Sequence, residues 1–308
     1  MRRERTYLSR IASQIARAGI AGPRLMTGFL IALVLVAALM HACWNAIVKV
    51  VSDRLVSLAL VNLTHSLLTL MVLPFVGIPA PESWPFLIAS VLIHQAYYAG
   101  LVMQYRFGDL GQVYPLARGA SPLAVAAVAW IWAGEHLAPW SLLAVFLITG
   151  GILSLALSGR GQRNNRHAVA WALFTALNIA GYSIADGLGG RVSGEPLAYT
   201  AWLFLLDGLP MPLLLPLFRS RRQLIPALRR YWRPGLIGGV LSATAYGTVI
   251  WVMSLAPLAL VTALRETSVI AAALIGAVLL GEPFGRRRLL AAGLVAVGVA
   301  MLQLSNQL

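Results

Sequence analysis

Tyr114-Pro115-Leu116-Ala117-Arg118-Gly119-Ala120-Ser121-Pro122 sits inside an apolar run from Leu110 to Ala133 that ends in Gly134-Glu135. An arginine in the body of a membrane-length segment is expensive to hold there and marks a functional site by default. The stretch has an echo 147 positions later, Ala263-Leu264-Arg265-Glu266-Thr267-Ser268, inside the run Pro257 to Leu280, which ends in Gly281-Glu282. Arg118 falls on Arg265, Ser121 on Ser268, and one Gly-Glu pair on the other. Aligned without gaps, Gly100–Gly151 and Gly247–Gly298 share 13 identities in 52 positions. Apolar composition inflates that figure, but the matched Arg, Ser and Gly-Glu are not what composition supplies. Earlier in the two halves the match is weaker, with Trp44-Asn45-Ala46 answering Gly181-Tyr182-Ser183.

Around this stretch the chain is 59% apolar and 11% charged over 308 residues, against roughly 25% charge in a soluble domain. Apolar residues come in runs rather than in alternation, and about 20 of them span the ~30 Å hydrocarbon core as a helix. Continuous runs leave helices as the spanning structure. The expected fold is an all-α membrane protein with ten transmembrane helices: Met26–Val50, Leu55–Val76, Pro85–Tyr105, Leu110–Ala133, Ala138–Leu157, Ala168–Leu188, Leu197–Phe218, Pro234–Leu255, Pro257–Leu280 and Leu289–Leu304. The organisation predicted is a basic N-terminal tail over 1–25, a five-helix repeat over 26–158 and a second over 168–304. With an odd number of helices per repeat, the second copy enters the membrane from the opposite side. That makes an inverted five-plus-five repeat, an architecture of alternating-access transporters with a site near the midplane.

The net charge of +14 reads as a topology signal and not as nucleic-acid binding, because the arginines sit in short connections. Fourteen fall in odd-numbered connections and one, Arg191, in an even-numbered one, which puts the odd connections in the cytoplasm. The tail, with Arg2, Arg3, Arg5, Arg10, Arg17 and Arg24, argues the other way. The single cysteine, Cys43, offers no disulfide. No Walker motif is present, and the five histidines are scattered. No catalytic residue, metal or cofactor is therefore expected, and an intramembrane enzyme is disfavoured.

Ten helices, a five-plus-five repeat, His41-Ala42-Cys43-Trp44-Asn45-Ala46-Ile47-Val48-Lys49 in the first helix, the Gly134-Glu135 and Gly281-Glu282 helix ends and the Gly-rich Gly150-Gly151 and Gly298 carry a resemblance. From Met26 to about Leu304 the chain resembles the EamA-type exporters of the drug/metabolite transporter superfamily. The resemblance implies a multi-pass protein of the plasma membrane, the inner membrane of a bacterium. It also implies a cavity between the halves and efflux of small amphipathic metabolites such as amino acids, as a monomer or homodimer. An exchanger of anionic carboxylate or phosphorylated metabolites is the second reading, and a non-transporting scaffold or receptor the third.

The expected substrate-binding residues are Trp44, His94, Tyr98, Tyr114, Arg118, Ser121, Tyr182, Tyr246, Arg265, Glu266 and Ser268. Arginine stays charged when buried and can fork onto a carboxylate or phosphate; as a structural alternative, Glu266 neutralises Arg118 or Arg265. Glu266, the only acid near the middle of a convincing span, is the expected carrier of a coupling proton or else a permanent counter-ion. Aromatic walls suit an amphipathic ligand or a cation; Trp251 and Tyr97 are read into the same walls. Asp186 and Asp207 lie near ends of predicted spans and read as interfacial.

Overall fold

The computed structural model describes residues 26–108, 110–156, 165–280 and 285–305. The basic tail, most of the connection carrying Arg160 and Arg163, and Gly281-Glu282 lie outside the described residues. Every described regular element is helical. The helices are α1 Gly28–Val50, α2 Arg54–Val76, α3 Trp84–Phe107 after a short 3-10 turn, α4 Leu110–Trp132, α5 Pro139–Ala156 and α6 Arg166–Val192. They continue with α7 Pro196–Gly208, α8 Pro210–Phe218, α9 Arg221–Leu255, α10 Leu258–Glu266, α11 Ser268–Leu280 and α12 Arg286–Ser305. Among the described residues, nine stretches are long and apolar enough to cross a membrane, two of them formed by α7 running into α8 and α10 running into α11. The other rod is α4, of 23 residues, which carries Arg118, Pro115 and Pro122.

Local chemistry fixes the ends. Thr27, Asp53, Asn165 and Glu195 each cap a helix by accepting from a backbone N–H of the first turn, groups that otherwise have no partner inside the helix. Gly134, at φ 63°, stops α4: the Ala133 and Glu135 N–H groups both donate to Ala129 O, at 3.0 and 3.1 Å. A glycine in the left-handed region just past the last turn is a common helix ending, and the Glu135 N–H reaches back six residues to close it. It explains the order of the pair, since the glycine turns the chain and the glutamate is aimed back across the bundle.

Several helices depart from the sequence expectation: the sixth runs on to Val192, and the seventh breaks at Leu209. The eighth rod, α9, starts at Arg221 and not near Pro234, so the arginine-rich connection is itself a helical extension. The ninth breaks at Thr267, with no glycine or proline nearby to announce it; the Thr267 hydroxyl donates to Leu264 O at 2.6 Å, closing the turn.

Packing pairs rods of the first half with rods of the second. α3 lies on α6 as α9 lies on α1, α4 meets α6 as the α10–α11 rod meets α1, and α5–α12, α2–α7 and α4–α10 pair across. The α5–α12 contact is the tightest to read. A Cβ on Gly151 would fall 2.9 Å from Ala291 O, and one on Gly298 would fall 3.0 Å from Ala144 O. The contact is reciprocal, each residue standing 147 positions from its counterpart. As α5 runs from 144 to 151, α12 runs from 298 back to 291, so the two rods are antiparallel. Only glycine allows backbones this close.

Candidate functional site: a charge-paired polar core

Arg118 lies in the middle of α4, where Pro122 has no N–H to give the Arg118 carbonyl four residues back. The Ser121 hydroxyl takes that role, donating to Arg118 O at 3.1 Å. Ser121 therefore serves the backbone of the arginine helix. Arg265 and Glu266 end α10 at the break, and all three charged side chains are buried, Arg118 at 4%, Arg265 at 3% and Glu266 at 0% exposure.

One carboxylate serves both arginines. Arg118 Nη1 donates to Glu266 Oε1 and Oε2 at 3.2 and 3.0 Å. Arg265 donates to Oε1 through Nε at 3.1 Å and Nη2 at 2.8 Å. With two guanidinium groups and one carboxylate the triad carries a formal charge of +1. A further contact comes from α1, where His41 Nε2 accepts from Arg118 Nη2 at 2.7 Å. Guanidinium only donates, so this nitrogen is unprotonated and the imidazole is neutral. Trp44 Nε1 lies 3.2 Å from His41 Nδ1. A neutral imidazole accepts at one nitrogen only, and the shorter guanidinium contact assigns that role to Nε2, so the indole touches the site through the His41 ring edge.

Aromatic rings continue the site away from the triad. Arg118 stands over Tyr114 at 5.5 Å, and Arg265 over Tyr182 and Tyr246 at 5.6 and 5.7 Å, cation–π distances. His94 stacks on Tyr182 with ring centroids 4.1 Å apart and meets Tyr246 edge-on at 6.0 Å. Beyond this layer stand two buried acids. Asp186, at 0% exposure, accepts from Tyr199 Oη at 3.1 Å and from the Tyr246 hydroxyl. Asp207 accepts from Gln95 Nε2 at 2.8 Å and Tyr98 Oη at 3.2 Å. The Tyr246 ring thus touches Arg265 on one side while its hydroxyl holds Asp186 on the other.

The expected residues Trp44, His94, Tyr98, Tyr114, Arg118, Tyr182, Tyr246, Arg265 and Glu266 fall in or against one continuous network. Ser268 is buried and has no hydrogen-bond partner among the described residues. Tyr97 packs on Tyr98 and Tyr182. Trp251 does not join: it is 40% exposed on the outer face of α9. Asp186 and Asp207 are not interfacial. α6 runs on to Val192, and α7 continues past Leu209 into α8, so both acids lie inside their rods and face the core. His41, Gln95 and Tyr199 were not singled out as site residues. The four-residue spacings Tyr182–Asp186 and His41–Asn45, which put both members on one helix face, are the signals that could have raised the first helix and the sixth.

A second polar cluster closes one end of the bundle. Glu135 Oε2 accepts from the Leu258 N–H at 2.9 Å, capping α10 where the helix dipole favours an anion. Glu135 Oε1 lies 2.6 Å from Arg191 Nη2. Arg191 also donates to Met253 O at 2.9 Å and Ala256 O at 2.8 Å, so the ends of α4, α6 and α9 and the start of α10 meet at this one pair. A surface cavity of about 830 Å3 lies elsewhere, lined by Ser52, Asp53, Arg219, Arg230 and Tyr231 among others; none of the expected site residues lines it. No group of three or more His, Cys, Asp or Glu side chains placed to hold a metal occurs among the described residues.

Residues 166–304 match the model of the EamA-like transporter family. An uncharacterized protein of Pseudomonas aeruginosa is 34% identical over 181 residues, covering 55% of this chain and 56% of that protein; the match thus spans about half of the relative's length. A solved crystal structure superposes with a TM-score of 0.71 over 91% of this chain and 98% of its own, at 17% identity; that likeness shows the fold alone. The chain is a multi-pass helical membrane protein, and the match of its residues 166–304 to the EamA-like transporter family is consistent with an EamA-type member of the drug/metabolite transporter superfamily.

Proposed function

We propose that the protein is a secondary-active exporter of small amphipathic metabolites, zwitterionic amino acids foremost, working by alternating access between two inverted five-helix halves of a bacterial inner-membrane protein. The reciprocal Gly151–Ala291 and Gly298–Ala144 contacts support the inverted repeat. Antiparallel rods exchanged by a two-fold rotation require an axis perpendicular to both, hence in the membrane plane. The charged core lies between elements of both halves, α1, α3 and α4 against α6, α7, α9 and α10, where a rocking motion would open it. The network is complete within one chain, so a monomer suffices.

The observation that carries the substrate class is the segregation of charge across the tyrosine layer. On one side, two guanidinium groups outnumber one carboxylate; on the other, Asp186 and Asp207 have hydroxyl and amide donors. A zwitterion matches both sides at once: its carboxylate turns to Arg118 and Arg265, its ammonium to the acids, and its side chain to Tyr114, Tyr182 and Tyr246. In the packed arrangement these groups satisfy one another, so the ligand replaces protein–protein pairings as the halves part.

Counterflow of radiolabelled L-phenylalanine in proteoliposomes tests this reading. Accumulation driven by unlabelled L-phenylalanine inside, and competed better by the amino acid than by 3-phenylpropionate or phenethylamine, is the expected result. The excess positive charge of the triad favours a second reading, exchange of anions, under which 3-phenylpropionate competes at least as well as phenylalanine. Absence of counterflow with either compound overturns the proposed substrate class.

A further inference from the structure

The three buried acids of the core differ in what their partners can do. Glu266 is held by guanidinium groups, which donate and never accept. A proton on Glu266 would point at an N–H and find no acceptor there, so this carboxylate is built for one charge state. The partners of Asp186 and Asp207 include tyrosine hydroxyls, which donate or accept by turning one O–H bond.

From these contacts the geometry points to Asp186 and Asp207 as the proton-binding groups of this protein, with Glu266 kept ionised as the counter-ion of the two arginines. When Asp186 takes a proton on a carboxylate oxygen, that new O–H donates to Tyr199 Oη. The Tyr199 O–H in turn swings to Ala185 O, which lies 3.4 Å away. Tyr246 continues to donate to the other oxygen. When Asp207 is protonated on Oδ2, its O–H donates to Tyr98 Oη while Gln95 goes on donating to Oδ1. At Asp186 the added proton is accommodated by rotating one hydroxyl onto a carbonyl already within reach; at Asp207 the Tyr98 O–H turns away from Oδ2 to make room.

His94 links the two sites. Its Nδ1 lies 2.9 Å from Ser90 O, an acceptor only, so Nδ1 carries the proton. His94 stacks on Tyr182, one turn before Asp186 on α6, and its ring centroid stands 6.5 Å from that of Tyr98, the donor to Asp207. The titratable and charged groups around Asp186 are His94 from α3, Tyr199 from α7, Tyr246 from α9 and Tyr182 on its own helix, with Arg265 of α10 beyond the Tyr246 ring and Arg118 of α4 beyond Glu266. Around Asp207 they are Tyr98 and His94 from α3, and His65 from α2, stacked on Phe204. In both shells the groups that touch the carboxylate are neutral donors. Coupling of these protons to substrate movement rests on the transport reading above; proton binding does not.

Infrared titration of the purified full-length protein reads protonated carboxyl groups directly through their carbonyl stretch. The wild-type protein is expected to show a pH-dependent carboxylic-acid band that Asp186→Asn and Asp207→Asn each reduce by about half, that the double variant removes and that Glu266→Gln leaves in place. Retention of the full band in the double variant, or its loss in Glu266→Gln alone, overturns the assignment. Dicyclohexylcarbodiimide, which reacts with protonated carboxyls in apolar surroundings, provides a second reading on wild-type protein should a variant fail to fold. Mass spectrometry should find the adduct on Asp186 or Asp207, falling as pH rises; an adduct on Glu266 alone contradicts the proposal. A positive infrared result without phenylalanine counterflow would overturn the substrate reading and leave the proton sites standing. Counterflow with no titrating band would do the reverse.

Discussion

The two charged regions of the core lie on either side of the Tyr182–Tyr246 layer and are built on opposite plans. In the first, acid and base are both permanent charges: Arg118 from the first half and Arg265 from the second converge on Glu266, which only the second half supplies, since the matching position is Gly119. In the second, Asp186 and Asp207 face tyrosines and a glutamine. The comparison separates two uses of a buried carboxylate. One balances charge and fixes the halves together, and the other is held by groups that tolerate a change of charge.

The largest expected break in this comparison is Glu266→Gln. Two buried guanidinium groups would lose their shared counter-ion, and uncompensated buried charge costs about 3–5 kcal/mol. Thermal melting of the detergent-solubilised variant should fall accordingly, or the variant should fail to accumulate in the membrane. Either arginine alone is a milder loss, because the remaining one still pairs with Glu266 one to one. Asp186→Asn is milder again, since an amide keeps one acceptor for a tyrosine hydroxyl, and it should leave melting nearly unchanged while altering pH dependence. Tyr246→Phe sharpens the point by deleting a single hydroxyl. It removes one donor to Asp186 but leaves Tyr199, so a destabilisation of about 1–3 kcal/mol is expected, together with a tighter hold on the proton at Asp186, readable in the infrared band.

Much of the first region was legible in the sequence and little of the second. Arg118 and Arg265 stood out because charge inside an apolar run is rare, and the 147-residue echo tied them to each other. Gly134-Glu135 was legible as a helix end, although its partner Arg191 was not, since that pairing joins residues 56 apart through the packing of α4 on α6. Asp186 was misjudged because the predicted span stops at Leu188, close to it, whereas Asp207 stands midway along the predicted Leu197–Phe218 and its partners Gln95 and Tyr98 come from another rod. Nothing local reveals that α6 continues to Val192. The break at Thr267 was equally hidden, being made by a threonine hydroxyl and not by glycine or proline. His41 lay inside a quoted motif, but its role needs the guanidinium of α4 in place, and that contact belongs to tertiary structure alone.

The shared carboxylate makes Arg118→Met the sharpest substitution for a ligand role. It removes the excess positive charge while leaving the Arg265–Glu266 pair bonded at 2.8 Å. Its loss of charged hydrogen bonds should lower stability by about 1–3 kcal/mol, so the variant should fold and reconstitute. Arg118→Lys should recover function poorly if a guanidinium fork grips the carboxylate. Phenylalanine counterflow by folded Arg118→Met in proteoliposomes, with its melting temperature recorded on the same preparation, is therefore decisive. Counterflow reduced at least tenfold in a variant that still melts cooperatively is the predicted outcome. Counterflow at the wild-type rate and apparent affinity would mean that Arg118 serves only to pair Glu266, and would contradict a carboxylate-binding role for the charged core.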